Sequence, residues 1–310
     1  MKDVEGVEFI TFDKSRALAQ LAGVRQSLTG RRFPVLLQMH ASMRANLVSR
    51  MVRADIRLGF DRARARDYQW LFTNARIPAR QQEHVMDGLF GFIEHLGIGE
   101  RVLRWDIPLS AADQQFADRV AGDGAPVCVI SPCSSQRFRN YRNWSTENYA
   151  ALADHIQAEH NARVILTGGP TELELDYGAE IQATVRHRVS NLIGRTDLKQ
   201  LLAILQRAAL LICPDSGPAH MATAVGTPVI GLYATSNRHR TGPYFSQELV
   251  VDKYPEAVTQ EFSRPISELR WGERVRNPNA MSLIRLEDVL EKVELILGRG
   301  DRRTRKNPPG

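Results

Sequence analysis

The stretch ICPDSGPAHMATAVGTPVIGLY, Ile212 to Tyr233, constrains the fold more than any other part of the chain. It reads as a buried strand, a turn, a helix and a second buried strand. Leu210 to Cys213 is apolar and ends at Pro214. Asp215 and Ser216 are residue types that cap helices, and Pro218 suits the first helical position. Gly217 lets the backbone approach a ligand closely. Pro228 to Tyr233 is a second short apolar run, as expected for a strand covered on both faces. The spacing predicts a helix N-terminus at the carboxyl edge of a parallel sheet. Unpaired N–H groups and a positive dipole end there favour an anion such as phosphate. His220 falls one turn into the same helix.

The preceding residues repeat the pattern. Pro126 to Pro132 reads as a strand and is followed by the loop Cys133-Ser134-Ser135. Ser145 and Thr146 open a helix expected to run to about His160. Ala162 to Leu166 is a strand, and Thr167-Gly168-Gly169-Pro170-Thr171-Glu172 turns into a helix. Val189 to Ile193 is a strand, Gly194 to Asp197 a turn, and Leu198 to Arg207 a helix. Such β/α alternation builds a parallel sheet whose ligands sit at these turns. The first half reads more coarsely. Its elements are strand Val7–Thr11, helix Ser15–Leu28, strand Pro34–Met39, helix Ser42–Val52, strand Ile56–Gly59, a long loop and helix Gln82–Leu96. Pro108 and Gly122-Asp123-Gly124 break the pattern, so the domain boundary is expected between Arg104 and Asp123.

Taken together, these motifs resemble the lipopolysaccharide heptosyltransferases, glycosyltransferase family 9. The resemblance rests on Ser134 and Ser135 ahead of Arg142 and Trp144, then TGGPTE, IGRTDL, DSGPAHMATAVGTPVIGLY and TSNRHRTGPY. It spans roughly residues 7 to 297. It implies an α/β fold of GT-B type, two Rossmann-like domains facing a cleft. It also implies inverting transfer of heptose from ADP-heptose to the lipopolysaccharide inner core, with no cofactor beyond the donor. The expected divisions are 1–115 (acceptor side), 116–284 (nucleotide-sugar binding), 285–297 (a helix crossing back to the first domain) and 298–310 (a disordered basic tail). Family members open with an apolar strand and a Gly-Asp turn whose Asp is the catalytic base. That unit does not occur here, and Asp13 follows a later strand. The first domain is therefore expected to be incomplete, with the base N-terminal to Met1.

Residue by residue, the resemblance places Asp215, Ser216, Gly217 and His220 at the donor diphosphate and sugar. Arg142 matches a basic position, often Lys, that neutralises the departing diphosphate. Ser134 and Ser135 match small or hydroxyl residues at the diphosphate, Glu172 an acidic residue near the nucleoside, and Thr196 a residue lining the base pocket. Each has a plainer reading. Glu172 suits its own helix N-terminus, the serines suit loop caps, and His220 suits a hydrogen-bonded core position.

Charge is uneven. Residues 31 to 80 hold eleven arginines against Asp55, Asp61 and Asp67, a net of +8, whereas the whole chain carries +6. Arginine suits bidentate contact with carboxylate or phosphate. The resemblance implies an acidic glycolipid acceptor, for which Arg44, Arg62, Arg64 and Arg66 are the candidates. It also implies a cytoplasmic enzyme held at the inner face of the inner membrane. A solvated arginine surface is the alternative. Nucleic acid fits poorly, since no binding motif accompanies the basic run.

No run of about 18 apolar residues suggests a membrane span, and the acidic start Met1-Lys2-Asp3-Val4-Glu5 lacks the features of a signal peptide. Cys128, Cys133 and Cys213 have no paired spacing and read as core thiols. The histidines show no metal-ligand spacing, so no metal is expected. Two further readings stay open at this point: a nucleotide-sugar-binding remnant without catalysis, and another GT-B enzyme such as a sugar-nucleotide epimerase.

Overall fold

Pairing decides which apolar runs become strands. The computed structural model describes residues 4–13, 17–135 and 139–304. The chain divides into two compact units, Met1–Pro108 and Leu109–Gly310. In the first, Val7 to Thr11 is not a strand. Val7, Phe9 and Ile10 are exposed, and a strand needs a ladder partner to satisfy its backbone. Helix α1 (Ala17–Ser27) and strand β1 (Phe33–Leu37) follow, then α2 (Met43–Ser49), β2 (Ala54–Gly59), β3 (Ala75–Arg76) and α3 (Val85–His95). The expected start of α1, at Ser15, lies outside the described residues. The three strands form a parallel sheet in the order β1-β2-β3, with Val35 opposite Ile56 and Leu58 opposite Ala75. Strand β3 falls in the expected long loop; at two residues it is too short for periodicity to reveal. A small core of Leu58, Ile77 and Phe92 packs against Leu37 and Phe60.

The second unit begins with α4 (Ala111–Ala121), where a boundary at 115/116 is expected. Ser110 and Asp113 form a reciprocal capping box that starts this polar helix. The division at Pro108 therefore lies ahead of the helix rather than within it. The order continues β4 (Val127–Ile130), α5 (Thr146–His160), β5 (Arg163–Leu166), α6 (Glu172–Thr184), β6 (Ser190–Asn191) and α7 (Leu198–Arg207). It ends with β7 (Leu210–Pro214), α8 (Gly217–Ala224), β8 (Val229–Tyr233), α9 (Arg238–Thr241), β9 (Val251–Asp252), α10 (Tyr254–Phe262) and α11 (Leu286–Thr304).

Six parallel strands pair in the order β6-β5-β4-β7-β8-β9. Alternate side chains serve opposite faces, as strand geometry requires. Cys128, Ile130, Val164, Leu166, Ile212 and Leu232 join one core with α5, α6, α10 and α11. Val127, Val129, Ile165, Leu211, Cys213 and Val229 join the other, with α4, α7 and α8. Helices thus cover both faces, the doubly wound arrangement. Strand order reverses between β4 and β7, and ligands of such sheets bind at that crevice, outside the carboxyl ends.

The final helix departs from expectation in its length. Helix α11 buries Val289 and Val293 in the core of the second unit. Expected to end at Leu297, it runs on to Thr304, because extending a formed helix adds one hydrogen bond per residue fixed. Of the expected disordered tail, residues 305–310 lie outside the described residues. The three cysteines are free and buried. Burial pushes each thiol up to about 12, so they are core thiols, as their spacing suggests.

Candidate functional site

The crevice between β4 and β7 is built by two loops and one helix end. Beyond β4, the Ser131 N–H donates to the Ile212 carbonyl at 3.0 Å, carrying the ladder one residue past the strand. The following loop is held by asparagines. Asn143 Oδ1 accepts from the Ser134 N–H at 2.9 Å. Asn140 Nδ2 donates to Ser134 Oγ and to the Ser135 carbonyl, each at 2.7 Å. Ser134 is buried and Ser135 exposed. Asn140 and Asn143 are positioning residues that sequence reading passes over. Their signal was a pair of asparagines flanking Arg142.

Arg142 reaches across the switch point. Its Nη1 donates to the Asp215 carbonyl at 2.7 Å and lies 3.2 Å from Asp215 Oδ2. Both residues are at least nine-tenths buried. The segment is anchored by Trp144, which is 1% exposed. Its Nε1 donates to the Ile284 carbonyl at 2.9 Å, and its ring meets Tyr149 edge-on.

Ser216, with extended backbone, is the N-cap of α8, so Asp215 is not. Ser216 makes no side-chain capping bond. Gly217 is the first helical residue and Pro218 the second, still within the turn where a missing N–H costs nothing. A β-carbon on Gly217 would meet nothing within 4 Å, so the space above it is open. His220 is exposed on the first turn of α8. Packing around the ring disfavours its charged form more than Asp215 favours it, so its pKa is held below the ordinary histidine value. A neutral imidazole there serves hydrogen bonding rather than charge neutralisation.

Four buried oxygens along this edge make no well-aligned hydrogen bond within the protein, Thr167 Oγ1, Asp215 Oδ2, Ser216 Oγ and Ser236 Oγ, although Asp215 Oδ2 is ion-paired with Arg142 and the Ser216 hydroxyl neighbours the Cys213 thiol. Thr167 follows β5, Asp215 and Ser216 close β7, and Ser236 follows β8. Only seven such buried side-chain atoms occur among the described residues, so more than half concentrate at one sheet edge. Leaving a buried polar group unpaired costs about 1–3 kcal/mol, and such groups gather where a ligand completes them. Thr167 and Ser236 were not singled out from sequence. Their signal was their place in the quoted motifs, Thr167 opening TGGPTE and Ser236 second in TSNRHRTGPY.

Farther along the edge, Glu174 rather than Glu172 organises the Gly-Gly turn. Its carboxylate accepts from the Gly169 N–H at 2.8 Å and from the Thr171 hydroxyl at 2.6 Å. Glu172 is exposed at the first position of α6, and Thr196 is half-buried just before Asp197, the N-cap of α7. The cavity of about 410 Å³ lined by Glu147, Asp154, His155 and His187 lies on α5 and α6 and holds none of these groups.

The arginine-rich first unit divides its cations. Arg64 pairs with Asp61 and Glu83, donates to the Pro78 carbonyl at 2.9 Å and stacks over Phe60. Its charge holds its own loop together, which removes it from the acceptor-binding candidates. Arg62 lies over the Trp70 ring, and Arg44 and Arg66 are exposed.

Residues 21–271 match the family described as Glycosyltransferase family 9 (heptosyltransferase). The chain is 36% identical over 296 residues to the lipopolysaccharide core heptosyltransferase OpsX of Haemophilus influenzae, covering 96% of this chain and 84% of that protein. A glycosyl transferase family 9 structure from Veillonella parvula superposes with a TM-score of 0.74 at 19% identity, covering 94% of this chain and 82% of the other. The Escherichia coli ADP-heptose lipopolysaccharide heptosyltransferase II superposes with a TM-score of 0.65, also at 19% identity, covering 94% and 83%. These likenesses establish the α/β fold of GT-B type.

Proposed function

The chain belongs to glycosyltransferase family 9, and on that premise we propose that it transfers heptose from ADP-heptose to the inner core of lipopolysaccharide, inverting the anomeric carbon. The observation that carries this reading is the row of buried oxygens at the switch point that lack well-aligned hydrogen bonds, beside Arg142 and the N-terminus of α8. Arg142 and the positive end of the α8 dipole bind the diphosphate and stabilise it as it departs. Ser134, Ser135, Ser216 and Gly217 line the same position. Glu172 faces the ribose hydroxyls, Thr196 borders the base, and His220 hydrogen-bonds the sugar as a neutral ring. A carboxylate deprotonates the acceptor hydroxyl, a contribution of about 10²–10⁴-fold. None of the donor-edge residues is assigned that role.

The direct test supplies purified protein with ADP-heptose and a heptose-free Kdo-lipid A acceptor. The expected result is one ADP released per heptose incorporated. ADP binding without any incorporation would leave a binding protein instead. Family membership favours transfer over the sugar-nucleotide epimerase reading.

On the acceptor side, Arg44, Arg62 and Arg66 of the first unit are proposed to engage the acidic core and anionic headgroups, holding the enzyme peripherally at the inner face of the inner membrane. No described helix is long and apolar enough to cross a membrane. Sedimentation with anionic vesicles should fall steeply as salt rises, since exposed charges are screened over about 8–10 Å near physiological ionic strength. Equal binding to neutral vesicles would contradict it.

A further inference from the structure

Two histidines and a carboxylate converge on the side of the second unit where α5 and α11 pack. His160 Nε2 lies 2.8 Å from Glu294 Oε1, and His155 Nε2 lies 3.4 Å from the same oxygen. The two rings stand 5.9 Å apart, edge to face. The three ligand atoms all fall within 4.8 Å of one another. We infer that His155, His160 and Glu294 form a binding site for a divalent transition-metal ion, zinc foremost, that ties α11 to α5.

The donor set and its geometry carry the inference. Two imidazole nitrogens and one carboxylate oxygen are ligands zinc takes at about 2.0–2.2 Å. Ligands on a tetrahedral ion at that range stand roughly 3.3–3.5 Å apart; the 3.4 Å separation matches that spacing, and the 2.8 Å one needs to open by about half an ångström. Both rings direct the same nitrogen, Nε2, at one carboxylate oxygen. With the lone pairs of both nitrogens turned inward, an ion would lie between the two nitrogens and Oε1, in place of the hydrogen bonds.

The scaffold is already rigid. Ile156, next to His155, and Val293, next to Glu294, are fully buried in one core, so the ligand-bearing helices are positioned by packing. The Glu294 side chain is 52% exposed, which leaves water a path to the remaining coordination positions. No short spacing announces the set, since Glu294 stands 134 positions from His160.

The test titrates tag-free, chelator-treated full-length protein with zinc chloride by calorimetry, with elemental analysis of the dialysed product. One equivalent should bind. His160→Ala and Glu294→Gln should each weaken binding about tenfold or more, the scale of effect seen even for groups outside the ligand shell. His187→Ala, at an exposed histidine outside the set, should leave it unchanged. Zinc should raise the melting temperature of the wild type but not of Glu294→Gln, because only a ligand that binds the folded state stabilises it. Should His160→Ala fail to fold, Glu294→Gln and His155→Ala, at more exposed positions, carry the same comparison. Absence of stoichiometric zinc binding, or binding that survives Glu294→Gln but falls in His187→Ala, would overturn the assignment.

Discussion

Asp215→Ala is expected to destabilise the second unit by about 3–5 kcal/mol, because it removes the carboxylate paired with a buried guanidinium. Arg142 and Asp215 are both at least nine-tenths buried, with Nη1 3.2 Å from Oδ2. The bond from Arg142 to the Asp215 carbonyl survives the substitution, which places the effect toward the lower end of that range. Loss of a helix cap alone would cost only about 0.5–2 kcal/mol, and the cap of α8 is Ser216. A urea midpoint within error of the wild type would show that the pair contributes little. Adding Arg142→Met to Asp215→Ala should recover part of the loss, since removing both charges of a buried pair is less costly than removing one.

Trp144→Ala should be comparably damaging, at about 3–5 kcal/mol for an aromatic-to-alanine change in a packed core. The cost has two sources. The indole fills space against Tyr149, and its loss leaves a cavity. The Ile284 carbonyl, which accepts from Nε1 at 2.9 Å, also loses its donor. Trp144→Phe separates the two, because it keeps an aromatic ring and removes the N–H. It should cost about 1–3 kcal/mol, the penalty for one unsatisfied buried acceptor. Since Trp144 anchors the segment that carries Arg142, ADP affinity should fall with stability in Trp144→Ala. Denaturation and calorimetry on the same preparation check both. A fully stable Trp144→Ala would remove this segment from the core argument.

How much of this was legible in the chain depended on whether the signal was local. Helix α7 matches its expected bounds because Asp197 and Gln200 form a capping box directly before an amphipathic run. The unit β7–α8–β8 was readable because two continuous apolar runs flank a capped turn. Helix α4 was not, because it is polar and buries only small residues, Ala117 and Ala121. Val7 to Thr11 has the composition of a strand, but a strand is decided by its partner. The site divides the same way. Asp215, Ser216 and Arg142 were legible from motifs. That Asp215 pairs with Arg142 rather than caps α8 required a contact spanning 73 positions. Arg64 read as an acceptor-binding candidate because Glu83, one of the two carboxylates that hold it, lies 19 positions away.

The central claim is that the buried oxygens at the carboxyl edge of the second sheet receive the sugar nucleotide. Calorimetric titration of ADP-heptose into the wild type and into Ser216→Ala/Ser236→Ala tests it most directly. Two hydrogen bonds at about 0.5–1.5 kcal/mol each correspond to a loss of affinity of roughly 5- to 150-fold. Unfolding stability in the absence of donor should stay about level, because the substitutions remove buried hydroxyls that make no well-aligned hydrogen bond in the free protein. Weaker binding in a protein that is no less stable is the predicted result. Unchanged affinity for ADP-heptose in the double variant would place the donor elsewhere.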